Sequence, residues 1–348
     1  MRVSHEPSRL GPDEPARLGI GDVRAAAGRL RDVVHRTPVL TSRTLDRWSG
    51  GRVLLKAECF QRTGSFKARG ASNALAVRAE AGRLGGVVTM SSGNHAHALA
   101  WAAARFGVPA VVVMPHDAPP NKRAATEGYG AEVVGYDRYR EDRDAIAAQA
   151  ARSRGFDLVP PYDDWDVMAG QGTAALELVE DVDGLDALVV PVGGGGLIAG
   201  CSTVAASWDR RIAVIGVEPA AGDDHRRSRD LGRRTRLDAV PVTVADGQAA
   251  AEPGRLTWEV NRRRVDAFVT VTDEEIVDAM RFAFERLHIV VEPSGASALA
   301  AVLRGAAARA IGPAGAGGDL GGRRVGVVLS GGNIDAARFA AVIDVDRR

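Results

Sequence analysis

Lysine is scarce in this sequence, and the scarcity draws attention to the few lysines present. The 348 residues include 45 basic side chains, of which 42 are arginine and three are lysine, namely Lys56, Lys67 and Lys122. A compositional bias of the source genome is a sufficient reason for the arginines. It does not extend to an amine that must lose its proton and attack carbon, because a guanidinium cannot replace that amine. Each lysine is therefore a candidate for chemistry.

Cysteine and net charge are also low. The two cysteines, Cys59 and Cys201, lie far apart and form neither a CxxC motif nor a disulfide framework, so we expect a reduced, cytoplasmic protein. The first fifteen residues are polar and contain acids and prolines, unlike a signal peptide. A formal net charge of +1 encodes no overall attraction to nucleic acid or to an anionic membrane.

Long apolar runs are missing as well. The longest uncharged stretch covers residues 187–208 and contains Pro191 and four consecutive glycines. Such a stretch predicts a strand, a turn and a helix, and argues against a membrane span. We therefore predict no membrane partner.

Short apolar runs rich in β-branched residues alternate with alanine-rich helical segments, which is the pattern of an α/β protein. Uninterrupted runs at Ala187–Val192 and Val325–Leu329 predict strands buried on both faces of a parallel sheet. Thr272 followed by Glu275 is a capping-box pattern that predicts a helix start. The other predicted strands are Arg52–Leu55, Gly86–Met90, Ala110–Met114, Glu132–Val134, Ala213–Val217 and Ala267–Val271.

The length favours two domains. The stretch from about Leu84 to Pro160 has its own series of strands and helices. We therefore predict a small domain at 81–160, inserted into a large domain formed by 1–80 and 161–348.

Four consecutive glycines, Gly193–Gly196, follow a predicted strand and enter a helix. Bare backbone amides at a helix N-terminus form a cradle for an anion, which the helix dipole also favours. One interpretation is a dinucleotide site, since Gly194, Gly196 and Ala199 fit a loose fingerprint and Glu218 lies 22 residues beyond Gly196. Another is a site for the phosphate of a smaller cofactor, and a third is a tight turn without a ligand. This motif alone does not decide between them.

Lys67 stands between Phe66 and Ala68 at the predicted start of a helix. The positive end of a helix dipole lowers the pKa of a lysine, which suits an amine that forms an imine. An exposed helical lysine is the alternative for this segment. Lys56 is expected to be a structural strand residue beside an acid, and Lys122, in a polar stretch, is expected to be exposed to solvent.

Two further turns carry polar groups. Ser91, Ser92, Gly93 and Asn94 follow a predicted strand and open a helix, where hydroxyl, amide and free N–H groups suit an anion or a substrate carboxylate. His95 and His97 are two residues apart, so they do not share a helix face for a metal. A last turn, at residues 330–333, follows the final predicted strand, where α/β sheets present ligands.

Together these segments resemble the threonine/serine dehydratase and serine racemase family of fold type II pyridoxal-phosphate enzymes, including its threo-3-hydroxyaspartate dehydratase-like branch. The resemblance covers roughly Gly21 to Asp344 and implies an α/β fold with two open twisted sheets covered by helices. It leaves little support for the dinucleotide interpretation, which gives no role to Lys67 or Ser330. The motifs that carry it, in family order, are Ser65-Phe66-Lys67, Ser91-Ser92-Gly93-Asn94-His95, Gly193–Leu197 and Ser330-Gly331-Gly332-Asn333. Supporting matches include Thr37–Leu40, Ala169–Thr173, Ala245-Asp246-Gly247 and Val291-Glu292-Pro293.

The resemblance implies a role for each motif. Lys67 would bind pyridoxal phosphate as an imine and then act as the base at the substrate Cα. The ligands of the cofactor would be Phe66 beside its ring, Asn94 at its phenolic oxygen, the amides of Gly193, Gly194, Gly195, Gly196 and Leu197 at its phosphate, and Ser330 at its pyridine nitrogen. The substrate would be held by Ser91, Ser92, Asn94 and His95, with Arg140 at the mouth of the site. Ser92 would be the second base in a racemising relative.

The segment from Glu218 to Asp224 resembles the divalent-cation loop of the racemase-like branch. The carboxylates of Glu218 and Asp224 and the carbonyl of Gly222 would bind Mg²⁺ or Ca²⁺. A solvated acidic loop is the alternative.

The family and the departures from it define the expected activity. We expect an ammonia-lyase that removes water from a β-hydroxy amino acid such as L-threonine or L-serine and releases a 2-oxo acid and ammonia. Serine or amino-acid racemisation stays open as an alternative, because Ser92 occupies the place of the second base. The side chain of the substrate is open too, with threo-3-hydroxyaspartate or a bulkier β-hydroxy amino acid as further candidates, because His97 stands where relatives usually carry Gln and no serine follows Gly247 near the substrate. Relatives also imply a homodimer.

Overall fold

The computed structural model describes residues 17–118, 120–137, 139–312 and 318–344. The first fifteen residues, considered above for a signal peptide, lie outside this part of the chain. The helices described are α1 Ile20–Leu30, α2 Arg43–Ser49, α3 Lys67–Glu80, α4 Asn94–Phe106, α5 Pro120–Gly128, α6 Arg143–Arg154, α7 Trp165–Asp181, α8 Gly196–Ala206, α9 Asp224–Asp230, α10 Arg255–Arg264, α11 Asp273–Phe282, α12 Pro293–Leu303, α13 Ala306–Ile311 and α14 Ala336–Ile343. The strands described are β1 Val39–Leu40, β2 Arg52–Ala57, β3 Val87–Met90, β4 Ala110–Pro115, β5 Glu132–Tyr136, β6 Asp157–Leu158, β7 Ala187–Pro191, β8 Ala213–Pro219, β9 Ala267–Val271 and β10 Arg324–Leu329.

The strands form two separate sheets packed between helices. The larger sheet has the order β1-β2-β10-β7-β8-β9 and is parallel except for the antiparallel pair β1–β2. The smaller sheet has the order β5-β4-β3-β6 and is parallel throughout. Buried apolar residues pack on both faces of the larger sheet, as continuous apolar strands require. The predicted α/β class with two helix-covered sheets is confirmed.

The strand and helix predictions can be compared element by element. Each predicted strand is present, with ends that differ by at most two residues. The two-residue strands β1 and β6 were not predicted, because two residues are too few to show a periodicity. The capping box is also present: the Thr272 hydroxyl accepts a hydrogen bond from the Glu275 amide, and the Glu275 carboxylate accepts one from the Thr272 amide.

The smaller sheet bears on the domain prediction. Its strands span residues 87–158, within the range 81–160, and α4, α5 and α6 fall in the same range. The division of the chain into an inserted small domain and a large domain stays a prediction.

The topology gathers several loops at one edge of the larger sheet. Strands β10, β7 and β8 are parallel neighbours, so the segments that follow them leave the sheet on the same side. These segments contain Ser330, the run Gly193–Gly196 and the residues after Glu218. Parallel α/β sheets bind ligands at this edge.

Helix α7 supports two helices that begin at this edge, α3 and α8. Small residues let the three helices approach closely. A Cβ atom built on Gly170 of α7 would lie 2.6 Å from the Arg69 carbonyl oxygen of α3. A Cβ atom on Gly200 of α8 would lie 2.4 Å from the Met168 carbonyl oxygen of α7. The helix that begins with Lys67 and the helix that follows the glycine run therefore share one rigid support.

Candidate active site

The loop before Lys67 is fixed to the loop after the last strand. Ser65 and Gly331 form an isolated antiparallel bridge, and the Phe66 amide donates a hydrogen bond of 3.0 Å to the Ser330 carbonyl. Lys67 follows as the first residue of α3. Two segments that are more than 260 residues apart in the sequence thus meet, as the order of the motifs implied.

The Lys67 amine lies in a partly buried position. Its Nζ donates a hydrogen bond of 2.7 Å to the Pro161 carbonyl and lies 5.0 Å from the centre of the Phe66 ring. Desolvation lowers the pKa of Lys67 to about 8, although the charge of Glu292 opposes the shift. An amine with this pKa is partly neutral in mildly alkaline solution, as a nucleophile or a general base must be.

The glycine run forms a cradle of backbone amides. The Gly194 carbonyl accepts a hydrogen bond of 2.6 Å from the Thr257 hydroxyl, and the Gly195 carbonyl accepts one of 3.2 Å from the Asn261 side chain. Within the described ranges, the amides of Gly193, Gly194 and Gly195 have no acceptor. These amides precede α8 at its N-terminus, so the loop suits a phosphate group.

Two of these glycines cannot be replaced without strain. Gly195 has φ +93°, a left-handed conformation that side chains disfavour. A Cβ atom on Gly194 would lie 2.3 Å from the Tyr162 ring. The backbone conformation at Gly195 and the close contact at Gly194 therefore require glycine at these two positions.

The turn before α4 holds Asn94 from two sides. Its Nδ2 donates to Glu292 Oε1 at 2.6 Å, and its Oδ1 accepts from Asn333 Nδ2 at 2.8 Å. The Ser91 hydroxyl accepts a hydrogen bond of 3.2 Å from the Gly93 amide. The Ser92 hydroxyl has no hydrogen-bond partner in the part of the chain that is described.

His95 and Arg140 were predicted to contact the substrate, and their side chains lie in different surroundings. The His95 ring is buried, and its Nε2 lies 3.1 Å from the Val159 carbonyl oxygen, so this nitrogen carries the hydrogen. What His95 offers to a ligand is therefore its backbone amide, in the first turn of α4. The Arg140 side chain is 86% exposed and lies 3.8 Å from Asp137.

Ser330 and Glu292 complete the site at the end of β10. The Ser330 hydroxyl is buried and donates a hydrogen bond of 3.5 Å to the Ser294 carbonyl. Glu292 occupies the N-cap position of α12, although its side chain makes no capping hydrogen bond. Burial, with the charge of Asp246, raises the pKa of its carboxyl to about 7. In the sequence, Glu292 was noted only as part of the supporting match Val291-Glu292-Pro293. An acid directly before a proline at a helix start is the sequence pattern that could have indicated it as a site residue.

The two other lysines are engaged in ion pairs. Lys56 is fully buried in β2, with its Nζ 2.6 Å from Glu177, in agreement with a structural role. The expectation of a solvent-exposed Lys122 is wrong. Its Nζ lies 2.9 Å from Asp246 and its side chain is only 21% exposed, because the fold brings α5 next to the segment between α9 and α10.

Glu218 and Asp224 meet, as the cation-loop motif implied, and His225 joins them. Ligand atoms of these three buried residues lie within 4.8 Å of one another. Both Glu218 oxygens accept backbone amide hydrogens, from His225 at 2.8 Å and Arg226 at 2.9 Å. Glu218 is thus engaged with the start of α9 and is not presented to a ribose, which removes a support of the dinucleotide interpretation.

The polar atoms of this cluster are incompletely matched. Neither Asp224 oxygen nor His225 Nδ1 has a hydrogen-bond partner, although all are buried. Burial opposes the charge on His225, yet the two carboxylates raise the pKa of its imidazole to about 9. Gly222, the third predicted ligand, lies in the turn between β8 and α9, where its amide donates to the Pro219 carbonyl at 2.9 Å.

Comparisons with known proteins agree with this geometry. The model of the pyridoxal-phosphate dependent enzyme family matches residues 30–331. An L-threo-3-hydroxyaspartate ammonia-lyase of Saccharomyces cerevisiae is 45% identical over 93% of this chain and 95% of its own length. A serine racemase of Schizosaccharomyces pombe is 44% identical over 92% of this chain and 95% of its own length. The crystal structure of a threonine deaminase from T.th. is 44% identical, covers 91% of this chain and 99% of its own, and superposes with a TM-score of 0.82.

Proposed function

Because this chain belongs to the pyridoxal-phosphate dependent enzymes, and within them to the ammonia-lyases and racemases, we propose that it is an ammonia-lyase. Its reaction would remove water from a β-hydroxy amino acid and release a 2-oxo acid and ammonia. L-Threonine, L-serine and L-threo-3-hydroxyaspartate are the candidate substrates. The observation that carries the proposal is the desolvated Lys67 amine, which donates to the Pro161 carbonyl directly before Tyr162, the residue whose ring packs on Gly194 of the amide cradle.

The residues of the site fit the cofactor of the family. The unpartnered amides of the glycine run suit its phosphate, and Lys67 suits its aldehyde carbon. We assign Asn94 to its phenolic oxygen, Ser330 to its pyridine nitrogen and Phe66 to the side of its ring. When bound, the cofactor supplies an electron sink for the bonds at the substrate Cα. A serine hydroxyl does not stabilise a pyridinium charge as a carboxylate does, so the site favours β-elimination over transamination.

Each protein group then has a task. Lys67 Nζ removes the proton from Cα, and the Pro161 carbonyl that it contacts at 2.7 Å orients it. The substrate carboxylate is bound by amides and hydroxyls of Ser91 and Ser92 and by amides of Asn94 and His95, at the start of α4. Arg140 stays a prediction as a residue at the mouth of the site.

A racemase is the alternative function. Relatives with that name support it, and Ser92 offers a hydroxyl where a second base is required. The racemase requires a proton delivered to Cα on the face opposite Lys67, whereas the lyase requires loss of the β-hydroxyl.

A substrate panel tests the function. Each of the three candidate amino acids is incubated with the enzyme, and the 2-oxo acid, the ammonia and the chirality of the remaining substrate are measured. Release of 2-oxo acid and ammonia in equal amounts is expected. Rapid inversion of configuration with little 2-oxo acid would replace the lyase by the racemase.

A pair of lysine variants tests the role of Lys67. Lys67→Arg is expected to be colourless and to lose activity by about four orders of magnitude, because a guanidinium forms no imine with the cofactor. Lys122→Arg makes the same change and can keep the ion pair with Asp246, so it is expected to stay yellow and active. A visible band that shifts on borohydride reduction in Lys67→Arg would refute the assignment.

We also propose a divalent cation, Mg²⁺ or Ca²⁺, held by Glu218, Asp224 and the Gly222 carbonyl. The unpartnered, buried oxygens of Asp224 support it, because hard cations take such ligands. If chelation leaves both activity and melting temperature unchanged, the cation proposal is withdrawn.

The setting of the enzyme stays a prediction. In the described ranges, each helix is too short or too polar to cross a bilayer. A cytoplasmic homodimer that acts on a small amino acid, without nucleic acid or membrane, is our expectation. Sedimentation of the purified protein tests the dimer.

A further inference from the structure

His225 and Asn261 lie between the acidic cluster and the glycine run. The Nδ1 edge of the His225 ring is 3.4 Å from Asp224 and 3.6 Å from Glu218. The opposite edge carries Nε2, which lies 3.3 Å from the Asn261 amide nitrogen. The same amide nitrogen donates to the Gly195 carbonyl at 3.2 Å. The amide has two hydrogens. One is donated to the Gly195 carbonyl, and the other faces His225 Nε2, which accepts it only when the imidazole is neutral and carries its hydrogen on Nδ1.

Gly195 also touches this pair directly. A Cβ atom at Gly195 would lie 2.6 Å from Asn261 Nδ2 and 2.6 Å from His225 Nε2. Both side chains are fully buried, and both have an unpartnered polar atom, Asn261 Oδ1 and His225 Nδ1. A packed, solvent-free path of two side chains therefore joins the carboxylates to the cradle.

We propose that His225 and Asn261 are positioning residues that couple the cation cluster to the phosphate cradle. The inference rests on the proposed function, which assigns the cation to Glu218 and Asp224 and the cofactor phosphate to the glycine run. The coupling makes each ligand bind more tightly when the other is present.

The physical reason for the coupling is that the carboxylates of Glu218 and Asp224 face both the proposed cation and the His225 ring. A cation bound by Glu218 and Asp224 occupies the carboxylates that the Nδ1 edge of His225 faces, so the ring position responds to the cation. Since the ring is packed against Asn261 and Gly195, the response reaches the backbone that sets the direction of the cradle amides. Coupling free energies are reciprocal, so the effect of the cation on the cofactor must equal that of the cofactor on the cation.

Release of the cofactor from the holoenzyme measures the coupling. The rate is followed by the loss of the visible band after dilution into an aldehyde trap, once with Mg²⁺ and once with chelator. Cation binding is measured separately, from the shift of the melting temperature with Mg²⁺. We expect Mg²⁺ to slow cofactor release about fivefold or more in the wild type.

Two variants cut the path at different points. Asn261→Leu is close in size and removes both contacts of the amide. His225→Asn keeps a polar atom near the position of Nδ1 but does not reach Asn261. In both variants we expect the Mg²⁺-dependent melting shift to persist and the effect of Mg²⁺ on cofactor release to fall below twofold.

Thr257→Val is the matched control. Thr257 also holds the glycine run, by a hydrogen bond of 2.6 Å to the Gly194 carbonyl, but does not contact the acidic cluster through His225. This variant is expected to release the cofactor faster with and without Mg²⁺, and to keep the ratio of the two rates.

The outcomes separate this inference from the function on which it rests. If Mg²⁺ shifts the melting temperature but leaves wild-type cofactor release unchanged, the coupling is wrong while the cation site stands. If Asn261→Leu and His225→Asn keep the full effect of Mg²⁺, long-range attraction between cation and phosphate is responsible and the two residues are not. If Mg²⁺ changes neither quantity, both the cation site and the coupling are wrong.

Discussion

Among the described residues, two buried clusters of charged side chains differ in how completely their polar atoms are partnered. The first joins Arg69 to Glu58 at 2.8 Å and to Glu177 at 2.6 Å, with Lys56 also 2.6 Å from Glu177. Two cations thus face two carboxylates. The Thr37 hydroxyl donates a further hydrogen bond of 2.5 Å to Glu58, and all the polar side-chain atoms of the four charged residues have partners.

The second cluster contains Glu218, Asp224 and His225, two carboxylates against one imidazole. It leaves both Asp224 oxygens and His225 Nδ1 without a hydrogen bond. Buried polar atoms in folded proteins nearly always have a hydrogen-bond partner, so buried polar atoms without one require an explanation.

The difference in hydrogen bonding corresponds to a difference in the role of the two clusters. The matched cluster ties β2 and α7 to α3, two residues beyond Lys67, and so fixes the direction of the helix that carries the amine. The unmatched cluster contacts the cradle through His225 and Asn261, and its unpartnered oxygens support the proposed cation. Burial of charge by itself indicates neither role; the degree of matching does.

Breaking the matched cluster is expected to have the largest effect. Arg69→Met leaves Glu58 and Glu177 without their main counter-ion, which should lower the free energy of unfolding by about 3–5 kcal/mol. Urea denaturation measures the loss. Arg36→Met is the control, since it removes a half-exposed pair with Glu180 and Asp181 that contributes about 1 kcal/mol or less. Equal losses in the two variants would contradict the comparison.

Breaking the unmatched cluster should behave in the opposite way. Asp224→Asn removes a carboxylate that has no hydrogen bond but lies 3.4 Å from the His225 ring, which keeps Glu218 as its second carboxylate, so the cation-free protein should lose much less stability than Arg69→Met does. The variant should instead lose the stabilisation by Mg²⁺, which amounts to about 2.7 kcal/mol at a hundredfold excess over Kd. Melting temperatures with Mg²⁺ and with chelator measure both effects. Stabilisation by Mg²⁺ that persists in the variant would show that Asp224 is not a ligand.

A buried histidine outside both clusters sharpens the comparison further. Burial, together with the charge of Lys67, lowers the pKa of His95 to about 3. The unfolded chain takes up a proton near pH 6.5 and the folded chain does not. Stability is therefore full above pH 6.5 and falls by about 1.4 kcal/mol for each pH unit between 6.5 and about 3.

His95→Gln tests this expectation, because a glutamine amide can still donate to the Val159 carbonyl. The free energy of unfolding is measured from pH 7 to pH 5 in wild type and variant. The wild type should lose more stability than the variant as the pH falls. Parallel curves would mean that His95 does not remain neutral in the folded protein.

Many elements of this protein could be predicted from the sequence, because they depend on patterns of neighbouring residues. Short apolar runs predicted the described strands of both sheets except the two-residue β1 and β6, and the Thr272–Glu275 pair predicted a helix start, because these patterns depend on neighbouring residues. Lys67 was a candidate because only three lysines are present among 45 basic residues, and an amine can form an imine whereas a guanidinium cannot. The resemblance then supplied the family, which the comparisons confirm.

Other features were decided only by the tertiary structure. The pairing of Lys122 with Asp246, the contact of Glu292 with Asn94, and the line from Asp224 through His225 and Asn261 to Gly195 join residues far apart in the chain. Charge matching and the pKa of a buried group depend on what each neighbour contributes at a few ångströms. Local sequence determines which chemistry each segment carries, whereas packing determines which charges are balanced and which are left without a hydrogen-bond partner.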